Sequence, residues 1–250
     1  MSRIVKTDWI EVPADCGSMG VHVATPDQAG PFPAIVCFPS FLGVTEFRLE
    51  LVRRMASEGY VVVLPDLFHR LGRRVGFTSP AQEDEAATAA GTLGFFDMVS
   101  DSRLAINVAR AHPDVDGDRI GAVGYGMGGT VTFLAASAHR DLRAAAIFYS
   151  RNLLANASSA HRPVSPFLLA ETIKCPVLFV SGAADPMPSV DDVQVLAAHF
   201  RRHGKSFEHR HCDAGHAFME ADMPAMHDEA ASAWGWEVQT EYFNRMLGAR

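Results

Sequence analysis

The feature that most constrains the fold of this chain is its regular alternation of short apolar runs with segments of helical periodicity. Unbroken apolar runs such as residues 34–38 and 60–64 are typical of strands buried on both faces of a parallel sheet. We predict strands at residues 5–12, 21–24, 34–38, 60–64, 120–124, 144–149, 177–180 and 207–211. This alternation predicts an α/β protein with one doubly wound, mostly parallel sheet of about eight strands.

Helix signals lie between these runs. Thr45 is a suitable N-cap for a helix that Gly59 would end, and Ser189 with Asp192 forms a capping-box pattern for a helix that runs to residue 200. Further helices are predicted at residues 98–111, 127–138 and 228–247. The least regular part is residues 67–93, and connections of this length inside a compact domain are usually lids or binding elements.

The composition excludes several classes of protein. The chain has 250 residues, of which 48% are hydrophobic and 20% charged, so we expect one globular domain over residues 1–250 without a large cap domain. A net charge of −7 argues against nucleic-acid or membrane partners. The four cysteines show no CxxC pair, and neither a signal peptide nor a membrane-spanning run is evident. We therefore expect a cytoplasmic monomer or homodimer that acts on a small molecule.

The segment 120–129, IGAVGYGMGG, has two interpretations. In the first, Gly124, Gly126 and Gly129 form the G-x-G-x-x-G fingerprint of a dinucleotide-binding oxidoreductase. Arg151, just past the next predicted strand, would then hold the 2′-phosphate of NADP. Against this interpretation, the motif follows the third predicted parallel strand and does not open the domain.

In the second interpretation, the same segment is a nucleophile elbow, a sharp strand-to-helix turn that carries a catalytic side chain at position 126. Two later segments support it. Asp185 ends a buried strand, where the acid of a catalytic triad would lie, and His216 follows the last strand, where the triad histidine would lie. The order elbow, Asp, His is that of α/β-hydrolases, so we predict this fold.

With these residues assembled, the chain resembles the dienelactone hydrolase family over most of its length beyond the first strands. The resemblance lies in an ordered set of short motifs at residues 41–44, 58–60, 65–68, 96–98, 118–121, 124–129 and 214–218. It implies a hydrolase that opens a lactone or ester through an acyl-enzyme on a Cys or Ser at the elbow. It also implies an oxyanion hole formed by the backbone N–H groups of Phe41 and Met127.

The chain departs from the family pattern at three positions. Gly126 stands where the nucleophile is expected and has no side chain with which to attack a substrate. Ser40 aligns with a family glutamate, and Glu220 aligns with an arginine that binds the substrate carboxylate. We therefore expect a substrate carboxylate to meet a negative charge, which argues against dienelactone itself as the substrate.

Asp185 and His216 can still act as a dyad, because the carboxylate would fix the tautomer of the histidine and leave its other nitrogen as a general base. Three explanations of Gly126 stay open. The nucleophile was replaced in a Cys or Ser hydrolase; or Gly126 is natural and the dyad performs non-covalent chemistry on a small cyclic or aromatic ester, lactone or related carbonyl compound; or the protein only binds such a ligand.

Several side chains near the predicted strand ends would line the substrate pocket, because α/β sheets place their ligand crevice there. The predicted substrate-binding residues are Ser40, Leu42, His69, Arg70, Tyr125, Tyr149, Arg151, Met187 and Phe218. His209, His211 and His216 could suggest a metal site, but no Cys or Glu lies nearby in the spacing of a metal site. We expect neither a metal ion nor a cofactor.

Overall fold

A computed structural model describes residues 4–72, 74–151, 153–155 and 160–248. Its centre is one eight-stranded sheet with the strand order β1-β2-β4-β3-β5-β6-β7-β8. The strands are β1 Val5–Ala14, β2 Gly17–Pro26, β3 Phe32–Phe38, β4 Val61–Pro65, β5 Val115–Tyr125, β6 Ala144–Phe148, β7 Val177–Gly182 and β8 Phe207–Cys212. The helices are α1 Glu46–Ser57, α2 Glu83–Thr92, α3 Phe95–Ala111, α4 Met127–Ala138, α5 Val190–Arg202 and α6 Glu229–Leu247, with 3-10 helices at Pro80–Gln82 and Pro166–Thr172.

The direction of the strands confirms the predicted α/β-hydrolase fold. β1 pairs antiparallel with β2, and β2 pairs antiparallel with β4. From β4 onward every neighbouring pair is parallel, and the direction in which the chain crosses the sheet reverses between β3 and β5. The parallel part therefore places the carboxyl ends of β3, β5, β6 and β7 side by side, where this class of sheet forms its ligand crevice.

Two apolar layers cover the two faces of the sheet. One face packs against α3, α4 and α5 through residues such as Ala105, Val131 and Leu196. The other face packs against α1 and α6 through Leu51 and Trp236. Because both faces are covered, the central strands are continuously apolar and buried, as the unbroken runs in the sequence predict.

The local helix signals set the ends of the helices that carry the site. The Thr45 hydroxyl accepts the Arg48 N–H at the start of α1, and the predicted capping box of Ser189 and Asp192 opens α5. α3 begins at Phe95, earlier than predicted, because Asp97 closes a capping interaction with the N–H of Gly94. Within the described part of the chain, no helix has the length and apolarity needed to cross a membrane.

Candidate active site

The turn between β5 and α4 has a backbone conformation that restricts its sequence. Gly126 lies at φ 56°, ψ −113°, and its N–H donates to the Phe148 carbonyl at 3.0 Å. A Cβ on Gly124 would lie 2.0 Å from the Gly128 carbonyl oxygen, and a Cβ on Gly128 would lie 2.2 Å from that of Phe38. Both flanking glycines are therefore demanded by close backbone contact. A Cβ on Gly126 would meet no heavy atom of the described residues within 4 Å.

Asp185 and His216 meet at the carboxyl edge of the sheet. Asp185 follows β7, and its Oδ2 lies 2.7 Å from Nδ1 of His216, which is on the segment between β8 and α6. The other carboxylate oxygen accepts the Met187 N–H at 2.8 Å. The Asp185 side chain is fully buried, whereas 14% of the His216 side chain is exposed. The carboxylate thus fixes one imidazole nitrogen, and the ring stays accessible.

A cavity of about 640 Å³ opens in front of His216 and the Gly126 turn. Eight of the residues singled out from the sequence line it: Ser40, Phe41, Gly126, Met127, Tyr149, Arg151, His216 and Glu220. The structure therefore brings together residues from four separate turns around one space. The volume is in the range of sites that hold a small organic molecule.

Residues from α2 form a further wall of the cavity, and no motif in the sequence points to them individually. They are Glu83, Asp84, Ala87, Ala90 and Gly91. They belong to the irregular segment 67–93, whose length was the only sequence signal that it would cover a site. Thr130, Arg162, Met223 and Met226 also line the cavity and were missed.

Three residues predicted to line the pocket are instead part of the core. Leu42 is buried in the layer that packs on α3 and α4, and it does not line the cavity. The Tyr125 hydroxyl donates to Gln239, and its ring lies in the opposite layer. Phe218 packs its ring on Tyr149 and Trp234. The structure places these three residues outside the lining of the cavity, and a sequence near a strand end does not show which side of the sheet each side chain faces.

Three other predicted pocket residues have different partners. The imidazole Nε2 of His69 lies 3.4 Å from a carboxylate oxygen of Asp101, which also pairs with Arg70 at 2.7 Å. Arg70 binds Asp15 as well, so its charge is used within the protein. Met187 lines a second, separate cavity. None of these three residues lines the cavity in front of His216.

Glu220 lines the cavity, but its charge is compensated. One carboxylate oxygen accepts a hydrogen bond from Arg48 at 2.5 Å, and the other accepts the Tyr149 hydroxyl at 3.0 Å. The Arg48 and Glu220 side chains are only 1% and 2% exposed. Arg48 therefore balances the negative charge that we expect a substrate carboxylate to meet here.

Burial and the charge of Glu220 shift the pKa values of its two partners, Arg48 and Tyr149. Burial opposes the charged guanidinium, but the neighbouring Glu220 outweighs it and raises the pKa of Arg48 above its usual value. Burial, together with the charge of Glu220, raises the pKa of Tyr149 well above its usual value. Tyr149 therefore stays a neutral phenol that donates to Glu220, and its ring meets His216 edge-on at 5.5 Å between centroids.

Two residues that line the same cavity have backbone N–H groups without a backbone acceptor among the described residues, Phe41 and Met127. Met127 is the first residue of α4, so its N–H has no acceptor within the helix. The Phe41 N–H makes no hydrogen bond with another described residue. Among the described residues there is also no group of three or more His, Cys, Asp or Glu side chains arranged to hold a metal ion.

Comparisons with known proteins agree with this architecture. A protein of Methylorubrum extorquens named "Putative carboxymethylenebutenolidase" is 29% identical over 237 residues, covering 94% of this chain and 80% of the relative. A Bradyrhizobium protein named "Probable 2-oxo-3-(5-oxofuran-2-ylidene)propanoate lactonase" is 28% identical, covering 93% and 92%. The crystal structure of a "Putative Dienelactone Hydrolase" from Klebsiella pneumoniae superposes with a TM-score of 0.85 at 26% identity, covering 96% of this chain and 98% of that one.

These findings exclude the dinucleotide interpretation of residues 124–129, whose flanking glycines serve the tight packing of the turn. The dienelactone hydrolase family pattern matches residues 19–247. The chain therefore belongs to the dienelactone hydrolase family and is a hydrolase of the α/β-hydrolase fold.

Proposed function

We propose that this protein hydrolyses a small lactone or ester without forming an acyl-enzyme, with a water molecule in the role of the missing nucleophile. One observation carries the proposal. The Asp185–His216 pair, joined at 2.7 Å, faces a cavity beside an elbow whose central residue, Gly126, has open space where a nucleophilic side chain would stand. A base is present and the attacking group is not, so the base would act on water.

In this mechanism Nδ1 of His216 donates to Asp185, and Nε2 takes a proton from the water as its oxygen attacks the carbonyl carbon. The Asp185 carboxylate stabilises the imidazolium that forms. As the tetrahedral intermediate collapses, the bond from carbon to the ring or ester oxygen breaks. The leaving oxygen receives the proton from His216, so one water is consumed and a hydroxy acid, or an acid and an alcohol, is released.

The negative charge of the intermediate would be stabilised by the N–H groups of Phe41 and Met127, two residues that line the cavity together with Gly126. Such an oxyanion hole uses backbone only, so the loss of a side chain at position 126 leaves it intact. Removal of a nucleophile alone therefore leaves transition-state stabilisation in place.

The names of two relatives support a lactone as the substrate, since one is called a carboxymethylenebutenolidase and the other a lactonase. The site differs from the family pattern at the position where an arginine is expected to bind the substrate carboxylate, because this position is Glu220. Glu220 already holds Arg48, so the buried cation is not free to bind an acidic substituent.

Of the two arginines that line the cavity in the described part of the chain, Arg162 donates to the carbonyls of Ala90 and Leu93, and Arg151 shares the cavity with the acidic Glu83 and Asp84. We propose a neutral ester or lactone, in place of dienelactone.

The test is turnover of a panel of aryl esters and lactones by the wild-type protein, His216→Ala, Gly126→Cys and Gly126→Ser. The proposal predicts slow wild-type turnover that falls by about 10²–10⁴ in His216→Ala, because a positioned general base contributes that much. It also predicts that wild-type turnover shows no burst of product.

Two results would contradict the proposal. If the wild-type protein is inert and Gly126→Cys gains burst-phase acyl transfer, position 126 is an emptied nucleophile site of a covalent hydrolase. If every variant is inert but the cavity still binds lactones, the protein is a ligand-binding member of the family. The open space at Gly126 makes both variants structurally feasible, although φ 56° strains any side chain there.

A further inference from the structure

A second cavity, of about 250 Å³, lies between the carboxyl ends of β6 and β7 and helix α5. Its walls are almost entirely apolar and include Leu153, Leu154, Phe179, Val193 and Leu196. A cavity of roughly 150 Å³ with such walls is large enough to bind benzene. The space therefore suits an apolar group of about that size or larger.

The two polar residues of this second cavity already have partners. The Ser150 hydroxyl lies 2.9 Å from that of Thr130, and the Asp192 carboxylate accepts both the N–H and the hydroxyl of Ser189. Burying an ionic or strongly polar ligand group there would leave it without compensation. The cavity thus favours alkyl or aryl groups over charged ones.

The two cavities adjoin and share one lining residue. Thr130 lines the cavity in front of His216, Ser150 lines the second cavity, and their hydroxyls form the 2.9 Å contact just mentioned. Ala155 lines both spaces. Met187, in the wall of the second cavity, donates its N–H to the Asp185 carboxylate. A ligand in the second cavity would therefore lie beside both the reaction cavity and the residues that hold Asp185.

We infer that the second cavity is a specificity subsite that binds an alkyl or aryl tail of the substrate while its lactone or ester carbonyl lies above Gly126. The inference rests on the proposed function for the identity of the group to which the tail is attached. It extends the substrate class from a small lactone to one with an apolar substituent, because only such a substituent would use walls of this chemistry.

The experiment measures binding of 5-alkyl-2-pyrrolidinones with tails from methyl to heptyl by titration calorimetry. These lactams have the shape of γ-lactones but resist hydrolysis, so an equilibrium constant is obtained whether or not the protein is catalytic. We expect the dissociation constant to fall roughly three- to fourfold for each methylene that is buried, until the cavity is full.

Leu154→Trp tests whether the gain comes from the second cavity. Leu154 is half-buried and lines only this cavity, so the larger ring would fill it. We expect the dependence on tail length to flatten while the affinity for the methyl compound stays within about twofold. Val195→Trp is the matched control, since Val195 is 53% exposed on α5 and lines neither cavity.

Leu154→Ala covers the case in which the tryptophan does not fit, because it deletes contact area without crowding and should also weaken binding of the heptyl compound more than of the methyl compound. A dependence on tail length that is flat in the wild-type protein, or unchanged in the Leu154 variants, would overturn the inference. Failure of the proposed hydrolysis looks different: turnover is absent, but the tail-length dependence of lactam binding persists.

Discussion

Two ionisable pairs on the same segment of chain have opposite relations to solvent. His216 and Glu220 both lie between β8 and α6. His216 pairs with Asp185 and keeps 14% of its side chain exposed at the cavity. Glu220 pairs with Arg48, and both of those side chains are at most 2% exposed. His216 is therefore accessible to a bound molecule, whereas the Arg48–Glu220 pair is almost completely shielded from solvent; we call these the accessible pair and the sealed pair.

The difference shows that the degree of burial gives two neighbouring charged pairs different roles. A buried ion pair gains Coulomb energy but loses solvation, and its net contribution to stability is small as long as both partners are present. It holds Tyr149, whose ring supports His216. In the proposed mechanism the accessible pair transfers the proton, and the sealed pair holds the side chains that surround it in place.

Asp185→Asn addresses the accessible pair and should have the largest effect. The amide can still accept the Met187 N–H, but its other end would present N–H groups to Nδ1 of His216 and favour the wrong tautomer. We expect kcat/KM for the responsive lactone or ester to fall by about 10²–10⁴, with little change in the melting temperature. A loss of melting temperature that matches the loss of activity would instead indicate a structural role.

Arg48→Met addresses the sealed pair and should affect stability first. It leaves the Glu220 carboxylate buried without its cation, and breaking a buried pair in this way typically costs about 3–5 kcal/mol. The measurement is urea unfolding. The matched control is the double variant Arg48→Met/Glu220→Leu, which should recover most of the loss because no charge is left buried. A double variant as unstable as the single one would contradict this account.

The pH dependence of folding adds a third case, a buried base without a carboxylate partner. His22 is 3% exposed, and its Nδ1 has no hydrogen-bond partner among the described residues. Burial lowers the pKa of His22 from 6.5 to about 4. Between pH 6.5 and 4, His22 therefore binds a proton in the unfolded chain but stays neutral in the folded chain. The free energy of unfolding falls as the pH drops through this range.

The size of this effect is at most about 3 kcal/mol for one such histidine. His22→Gln should flatten the free energy of unfolding over this pH range, as measured by urea titrations at several pH values. His161→Gln, at an exposed position, is the control and should leave the profile unchanged. If the free energy of unfolding depends as steeply on pH in His22→Gln, the acid sensitivity comes from another group. His209 is one such group, because burial also lowers its pKa to about 4.

Local signals in the sequence predicted most of the fold. The strand runs, the Thr45 cap and the Ser189–Asp192 capping box all depend on residues close together in the chain, and the structure has each of them. The glycines around position 126 could also be predicted from local sequence, because each is required by a turn only a few residues long. The approach of Asp185 to His216 also followed from the order of the elements, since both come after neighbouring strands.

The pairing of Arg48 with Glu220 could not be predicted in this way, because the two residues are 172 positions apart. On α1, Arg48 lies on the same face as the buried Leu51 and Met55, so helical periodicity places it towards the core but does not identify its partner. Tyr125 and Tyr149 show the same limit: both follow apolar runs, yet one bonds Gln239 in the core and the other lines the cavity.

The sequence by itself determined the α/β-hydrolase fold, the tight turn at Gly126 and the places of Asp185 and His216, because these depend on local backbone geometry and on strand order. The tertiary structure decided which charges are neutralised, which side chains face the cavity and where the second cavity lies. Those properties depend on the side on which each helix packs and on contacts between distant segments, which periodicity along the chain does not specify.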